Sequence, residues 1–269
     1  MSLCLEKMID PPENKLDKWL FVPDTTRPVR LRLICFPPAG QGASVFRSWI
    51  GGLPIDVGFC AVQLPGRTSR LRELAMTSIP QIVEQITAAI AGLPELPCVF
   101  FGHSMGAVLA SEVTRRLAAL THSVPRHLIV SGRRPPPVPD RHPPISGLSD
   151  AAFVDEIGRR YGGIPPEILA NPDVLELLLP SLRADMVALE AYQPGPRKRL
   201  PLPISAFGGD ADPMTPVEDI EAWANETQAG FEMRIFPGGH FYLDTQRRAV
   251  LDEVARIIAP LMAELKAGT

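Results

Sequence analysis

Cys98-Val99-Phe100-Phe101-Gly102-His103-Ser104-Met105-Gly106-Ala107-Val108-Leu109 is the stretch that decides how this chain folds. Residues 98–101 are apolar, short and bounded upstream by Pro97, the profile of a buried strand. Beyond the serine, Met105, Val108, Leu109, Val113, Leu117 and Leu120 recur at three- and four-residue steps, the spacing of one helix face. Gly102-His103-Ser104-Met105-Gly106 thus occupies a strand-to-helix turn. The five residues alone prove nothing, because glycine is common enough for such a match to arise by chance. Their context makes Ser104 a candidate nucleophile. A turn this sharp strains the serine backbone, exposes the hydroxyl and needs glycine on both flanks. The helix start beneath it offers free amides and a positive dipole end to an oxyanion.

Outward from this turn the chain alternates between strand and helix patterns. Residues 31–36 are apolar except for Arg32 and run into Pro37-Pro38-Ala39-Gly40; residues 59–64 end at Pro65-Gly66-Arg67. Residues 128–130 close on Ser131-Gly132-Arg133-Arg134, residues 203–207 and 231–236 read as two more strands, and 19–22 as an edge strand. Ile79, Ile82, Val83, Ile86 and Ile90 mark one helix; Val250, Leu251, Val254, Ile257, Ile258 and Leu261 mark a C-terminal one, with Pro260 a possible kink. This order predicts the α/β class: right-handed βαβ units around a mostly parallel central sheet flanked by helices. Residues 140–200 break the alternation with helical spacing alone (Phe153, Ile157, Ile168, Leu175, Leu178, Leu182, Met186, Leu189), Pro180 opening a new helix after Leu179. They predict an all-helical lid inserted over the carboxyl edge of the sheet, within a single domain spanning 18–269. Residues 1–17 read as a loose tail.

Composition narrows the function classes. The chain has 269 residues, 45% of them hydrophobic and 21% charged, which suits one globular α/β domain. A net charge of −3 gives no pull toward nucleic acid or an anionic membrane. Cys4, Cys35, Cys60 and Cys98 are scattered without metal or redox spacing and suggest reduced thiols. No signal-peptide core or membrane-length apolar run is visible, so a cytoplasmic protein is expected, with monomer the default state. Neither a phosphate-cradling glycine run nor a metal-ligand cluster appears, and no cofactor or metal is expected.

A serine hydroxyl needs a base, and the base needs an orienting acid, in the chain order Ser, Asp or Glu, His. His240, in Gly238-Gly239-His240-Phe241, is the histidine that follows the last strand and precedes the final helix. His103 is expected to point away from its neighbour Ser104, while His122, His127 and His142 are assigned to loops or the insertion. For the acid, Gly208-Gly209-Asp210-Ala211-Asp212-Pro213 follows a strand and offers two carboxylates. The Gly-x-x-Asp spacing favours Asp212, with Asp210 left to brace the turn. The oxyanion donors are assigned to the amide of Met105 and to that of Ala39, with Gly40 as second choice; Pro37 and Pro38 have no amide to give. The reaction these residues predict is acyl transfer through an acyl-serine.

The same residues resemble the type II thioesterases, the editing hydrolases of polyketide and nonribosomal peptide assembly lines. The likeness is carried, in order, by Phe36-Pro37-Pro38-Ala39-Gly40, Gln63-Leu64-Pro65-Gly66-Arg67, Phe101 to Ala107, Ser131-Gly132-Arg133-Arg134-Pro135, Leu179-Pro180-Ser181-Leu182-Arg183-Ala184-Asp185, Gly208 to Pro213 and Gly238-Gly239-His240-Phe241-Tyr242. The chain departs from the family pattern at Gln41, where a second glycine is common. The resemblance implies an α/β-hydrolase fold and hydrolysis of acyl thioesters on the phosphopantetheine arm of acyl or peptidyl carrier domains. Its use would be to clear stalled or aberrant acyl groups. The basic runs Arg67/Arg70/Arg72, Arg133/Arg134 and Arg197/Lys198/Arg199 are candidate docking points for an acidic carrier. The rival readings are a general carboxylesterase or lipase with the same triad, a chain-terminating thioesterase domain, which the Met1 start and short tails disfavour, and a non-catalytic binding protein.

Overall fold

The computed structural model describes residues 18–23, 27–120, 124–162, 164 and 166–267; the expected loose tail and His122 lie outside them. Seven strands form one sheet: β1 (Leu20–Phe21), β2 (Leu31–Phe36), β3 (Val57–Val62), β4 (Cys98–His103), β5 (His127–Ser131), β6 (Ile204–Gly209) and β7 (Phe231–Phe236). Their order across the sheet is β1-β3-β2-β4-β5-β6-β7. All neighbours are parallel except the short edge strand β1, which runs antiparallel to β3 with Leu20 opposite Val62. This is the sheet the sequence predicts, an α/β-hydrolase fold, with β4 at its centre.

β2 and β7 match the sequence reading, while the bounds of β1, β3, β4, β5 and β6 differ from it by one or two residues. β3 starts at Val57, earlier than expected, because Val57 pairs with Leu31 and sits buried. Its far end stops at Val62, since the Gln63 side chain is committed to the following loop. His127, assigned to a loop, is the first residue of β5, and its Nε2 meets Ser205 Oγ at 2.7 Å.

Alternate strand residues feed two separate cores. On one face Ile34, Phe36, Phe100, Leu128 and Val130 pack with α1 (Ile79–Ala91) and α2 (Met105–Leu120). On the other Leu33, Cys35, Val99, Phe101 and Ile129 pack with α8 (Arg247–Ala267), through Val250, Val254, Ile257 and Ile258. A parallel sheet covered on both faces explains why its central strands read as apolar runs, whereas the edge strand β7 alternates Phe231, Met233 and Ile235 with Glu232 and Arg234.

Between β5 and β6 lie α3 (Asp150–Tyr161), α4 (Pro166–Leu169) and α5 (Pro172–Ala191). Helix is confined to Asp150–Ala191, and the proline-rich flanks of the expected insertion are non-helical. These helices share a third core: Phe153, Ile157, Tyr161, Leu179 and Met186 bury one another beside Ala39 and Phe241. Pro180 does not open a helix; it lies inside the continuous α5. The carbonyl it leaves without a donor belongs to Glu176, and both residues face solvent while Leu179 stays buried. Pro260 lies inside α8 in the same way, with Arg256 exposed one turn earlier.

The remaining α-helices among the described residues are short: α6 (Val217–Glu221) after β6 and α7 (Tyr242–Thr245) after β7. No helix among the described residues is long and apolar enough to cross a membrane.

Candidate active site

The site begins with backbone geometry. Ser104 follows β4 directly with φ of 54°, one of two non-glycine residues at positive φ among those described. Such a conformation costs about 1–3 kcal/mol and persists only where surroundings enforce it. Here Ser104 N donates to Ser131 O at 2.8 Å, and Ser104 O accepts from Ala107 N at 3.0 Å. The turn is so tight that a Cβ on Gly102 would lie 2.1 Å from Gly106 O, and one on Gly106 would lie 2.0 Å from Phe36 O. Both obstacles are main chain and cannot swing aside. Gly106→Ala is therefore expected to lose more than about 3 kcal/mol, read as a drop in the chemical-denaturation midpoint.

Three side chains from three loops at the carboxyl edge then meet. His240 Nε2 lies 3.0 Å from Ser104 Oγ, and His240 Nδ1 lies 2.8 Å from Asp212 Oδ2. All three residues are buried. Asp212 Oδ1 is occupied separately by Met214 N at 2.9 Å, which fixes the plane of the carboxylate. Of the two competing aspartates, Asp212 is the one that reaches His240. Asp210 Oδ1 instead accepts from Gly238 N at 2.8 Å and so pins the loop that carries the histidine.

The amides of the two assigned oxyanion donors are free. Met105 opens α2, and its amide, like that of Ala39, donates to no acceptor among the described residues. The amide of Gly40 is taken: it donates to Asp185 Oδ2 at 2.7 Å, which removes the second-choice donor.

His103 does not point away from the site. Its ring lies 5.1 Å from that of His240, centroid to centroid, and its Nδ1 meets Ser131 Oγ at 2.8 Å. Ser131 Oγ continues to Tyr242 OH at 2.5 Å, and Tyr242 stacks on Phe236. Burial, reinforced by the neighbouring His240, holds His103 well below the usual histidine range and keeps it uncharged. Burial likewise pushes the Tyr242 phenol up, so it serves as a hydrogen-bonding group and not as an acid.

Ser104 and His240 open into an apolar cavity of 120 Å³ walled by Ile157, Tyr161, Leu182, Met186 and Phe241. Helices α3 and α5 supply most of that wall. No Asp, Glu, Lys or Arg lines it. Tyr161 packs edge-on against His240 at 4.9 Å, and with Met186 it also lines a larger groove holding Arg133, Arg134 and Arg160. Sequence reasoning gives Tyr161 no role, and no local signal marks it; only the path of α3 brings it to the histidine.

The basic runs prove to be mostly internal. Arg67 is buried against Asp185, and Arg70 pairs with Glu73 while lying 4.3 Å over the Trp19 ring. The Arg70 side chain holds the Glu73 carboxyl down at about 2. Arg134 pairs with Asp140, and Arg197 reaches Glu112 at 2.6 Å. Arg72, Lys198 and Arg199 remain exposed. The thiols of Cys35 and Cys60 are buried and free, that of Cys98 is half-buried, and burial pushes Cys60 up to about 12. No cluster of His, Cys, Asp and Glu suited to a metal ion occurs among the described residues.

Comparison with known proteins agrees with this geometry. The family model of the thioesterase domain matches residues 31–261. Gramicidin S biosynthesis protein GrsT of Aneurinibacillus migulanus is 34% identical, over 93% of this chain and 97% of its own length. Thioesterase PikA5 of Streptomyces venezuelae is 38% identical, over 84% of this chain and 80% of its own. Among solved structures, the type II thioesterase BorB from the borrelidin biosynthetic cluster superposes with a TM-score of 0.83 at 32% identity, covering 91% of this chain and 99% of that one. A serine turn, a histidine loop and an apolar cavity on this sheet, matched along nearly the whole length, place the chain in the thioesterase domain family.

Proposed function

We propose that this protein is a type II, editing thioesterase that releases acyl groups from the phosphopantetheine arm of acyl or peptidyl carrier domains in polyketide or nonribosomal peptide synthesis. The observation that carries the reading is the hydrogen-bonded line Asp212–His240–Ser104 opening into an apolar cavity. Ser104 Oγ attacks the thioester carbonyl carbon as His240 Nε2 takes its proton. Asp212 accepts the Nδ1 hydrogen and stabilises the imidazolium. The amides of Met105 and Ala39 receive the oxyanion. Collapse breaks the carbon–sulfur bond, the leaving thiolate takes the proton from Nε2, and an acyl ester of Ser104 remains. Water, deprotonated by the same nitrogen, hydrolyses that ester and restores the serine. A thiolate leaves readily, so an activated serine and an oxyanion site are sufficient catalysts. Helices α3 to α5 act as a lid over the carboxyl edge, within a single domain over 18–269. We place the protein in the cytoplasm, where carrier domains and free thiols such as Cys35 and Cys60 are found.

The deciding experiment compares one acyl group on a carrier domain with its p-nitrophenyl ester. The carrier thioester is expected to show the higher kcat/KM by about tenfold or more. Preference for the oxygen ester would favour a general carboxylesterase. Cavity chemistry adds a selectivity: burying a terminal carboxylate there leaves it without a cation. An acyl chain ending in a carboxylate is thus expected to show kcat/KM about 10²-fold below a neutral chain of equal length. Paired rates on carrier-bound substrates check it.

A further inference from the structure

The segment after β2 carries Ala39, and its shape is imposed from outside. Pro37 and Pro38 fix φ on the approach. Immediately beyond Ala39, Gly40 N donates to Asp185 Oδ2 at 2.7 Å, and Ala43 N donates to Gln63 Oε1 at 3.0 Å. Gln63 Nε2 is itself tied to the carbonyls of Leu64 and Arg67 at 3.1 and 3.0 Å. Asp185 does not belong to the sheet. It projects from α5 of the insertion, where Arg67 Nη1 shares its Oδ2 and Arg67 Nη2 reaches Oδ1 at 3.0 Å. Gly40 has φ of 73°, and a Cβ there would lie 2.9 Å from Leu182 Cδ1, so α5 backs directly onto this peptide.

Both charges are out of water, Asp185 at 0% and Arg67 at 2% exposure. A buried ion pair is a poor source of stability, because desolvation offsets its attraction and an apolar pair of equal volume does as well. Its particular worth here is geometric. A peptide unit is planar, so anchoring Gly40 N also orients the Ala39 carbonyl and restricts the ψ of Ala39. With two prolines before it and this anchor after it, the Ala39 amide has a narrowed range of directions. An oxyanion donor needs that constraint, since its contribution falls steeply with misplacement.

We propose that Asp185, oriented by Arg67, is a positioning residue for thioester hydrolysis: it anchors the Ala39–Gly40 peptide so that the Ala39 amide stands ready for the oxyanion, and it thereby couples the chemistry to the seating of insertion helix α5. This rests on the acyl-serine reading above and deepens it. Sequence reasoning quotes Asp185 without a role and offers Arg67 as a docking point for a carrier; burial of the pair against each other gives both a different part.

The test compares Asp185→Asn with Glu226→Gln, which alters the ion pair of Arg115 and Glu226 outside the cavity. Active sites are counted by labelling to completion with a fluorophosphonate. Two ligands are then measured: a trifluoromethyl ketone of the acyl chain, which adds Ser104 and forms an oxyanion, and an acyl-pantetheine thioether, which does not. Asp185→Asn is expected to lower kcat per labelled site by about 10- to 100-fold and to weaken the ketone by a similar factor. KM and thioether affinity should stay within about threefold of wild type, whereas Glu226→Gln should lower Tm and move none of these values. Unchanged kcat and ketone affinity in Asp185→Asn, or thioether binding weakened as much as ketone binding, would overturn the proposal. Should that variant not fold, Arg67→Lys keeps the charge but loses the fork, and the same two ligands must separate in the same direction. Wild-type protein that takes no label at Ser104 would instead sink the acyl-serine reading itself.

Discussion

Ser104→Ala is expected to lower kcat for a carrier-bound acyl thioester by about 10⁶-fold, down to whatever the remaining groups can supply. The reasoning starts from what the substitution leaves alone. Alanine keeps the Cβ, so the 54° φ and the main-chain bonds to Ser131 and Ala107 are unchanged in demand. Only Oγ disappears, and with it the 3.0 Å contact to His240 Nε2. The amides of Met105 and Ala39 and the apolar cavity persist, so substrate still binds and KM should change little. Thermal unfolding should stay within a few degrees of wild type. Mass spectrometry of the acylated carrier domain gives the rate, and the same measurement on the p-nitrophenyl ester gives a second estimate. Were the variant to hydrolyse both at rates near wild type, water would be attacking without Ser104 and the covalent mechanism would be wrong.

What the sequence discloses and what it hides divide along a physical line. β2 and β7 are legible to the residue because β2 is an apolar run broken only by Arg32, β7 alternates apolar residues with Glu232 and Arg234, and a proline closes each. The serine turn is legible because its glycines are forced: main-chain oxygens occupy the space any Cβ would need. His240 and Asp212 follow from chain order on this kind of sheet, since each loop leaves the same edge. Long-range contacts between side chains are not legible. Tyr161 on His240, Arg67 on Asp185 and His103 beside His240 join positions dozens of residues apart, and no periodicity reports them. Pro180 shows the same limit in reverse. Local rules end a helix there, but tertiary burial of Leu179 and Met186 on either side carries α5 through. Charge runs mislead for a related reason, because exposure cannot be read from a run, and Arg67, Arg70 and Arg134 turn inward to partners.

The two aspartates of one loop should respond to the same chemical change in opposite ways. Asp212→Asn is expected to lower kcat by about 10⁴-fold, and Asp210→Asn by less than about tenfold. Shape is nearly conserved in both, so the difference must come from hydrogens. Met214 N donates to Asp212 Oδ1, which requires an acceptor at that position. An asparagine there must place its carbonyl oxygen toward Met214 and its NH₂ where Oδ2 now faces His240 Nδ1. Nδ1 then has to accept, the ring hydrogen moves to Nε2, and Nε2 can no longer take the proton of Ser104 Oγ. The base is present, correctly placed and in the wrong tautomer. At position 210 the single demand is an acceptor for Gly238 N, and an asparagine carbonyl meets it. Asp210→Asn should therefore cost about 1 kcal/mol of stability through the weaker, uncharged bond, with the His240 loop still in place. Rates on an acyl carrier domain, alongside denaturation of both variants, separate the outcomes. A larger loss of kcat from Asp210→Asn than from Asp212→Asn would move the orienting role to Asp210 and reduce the 2.8 Å contact at Asp212 to packing.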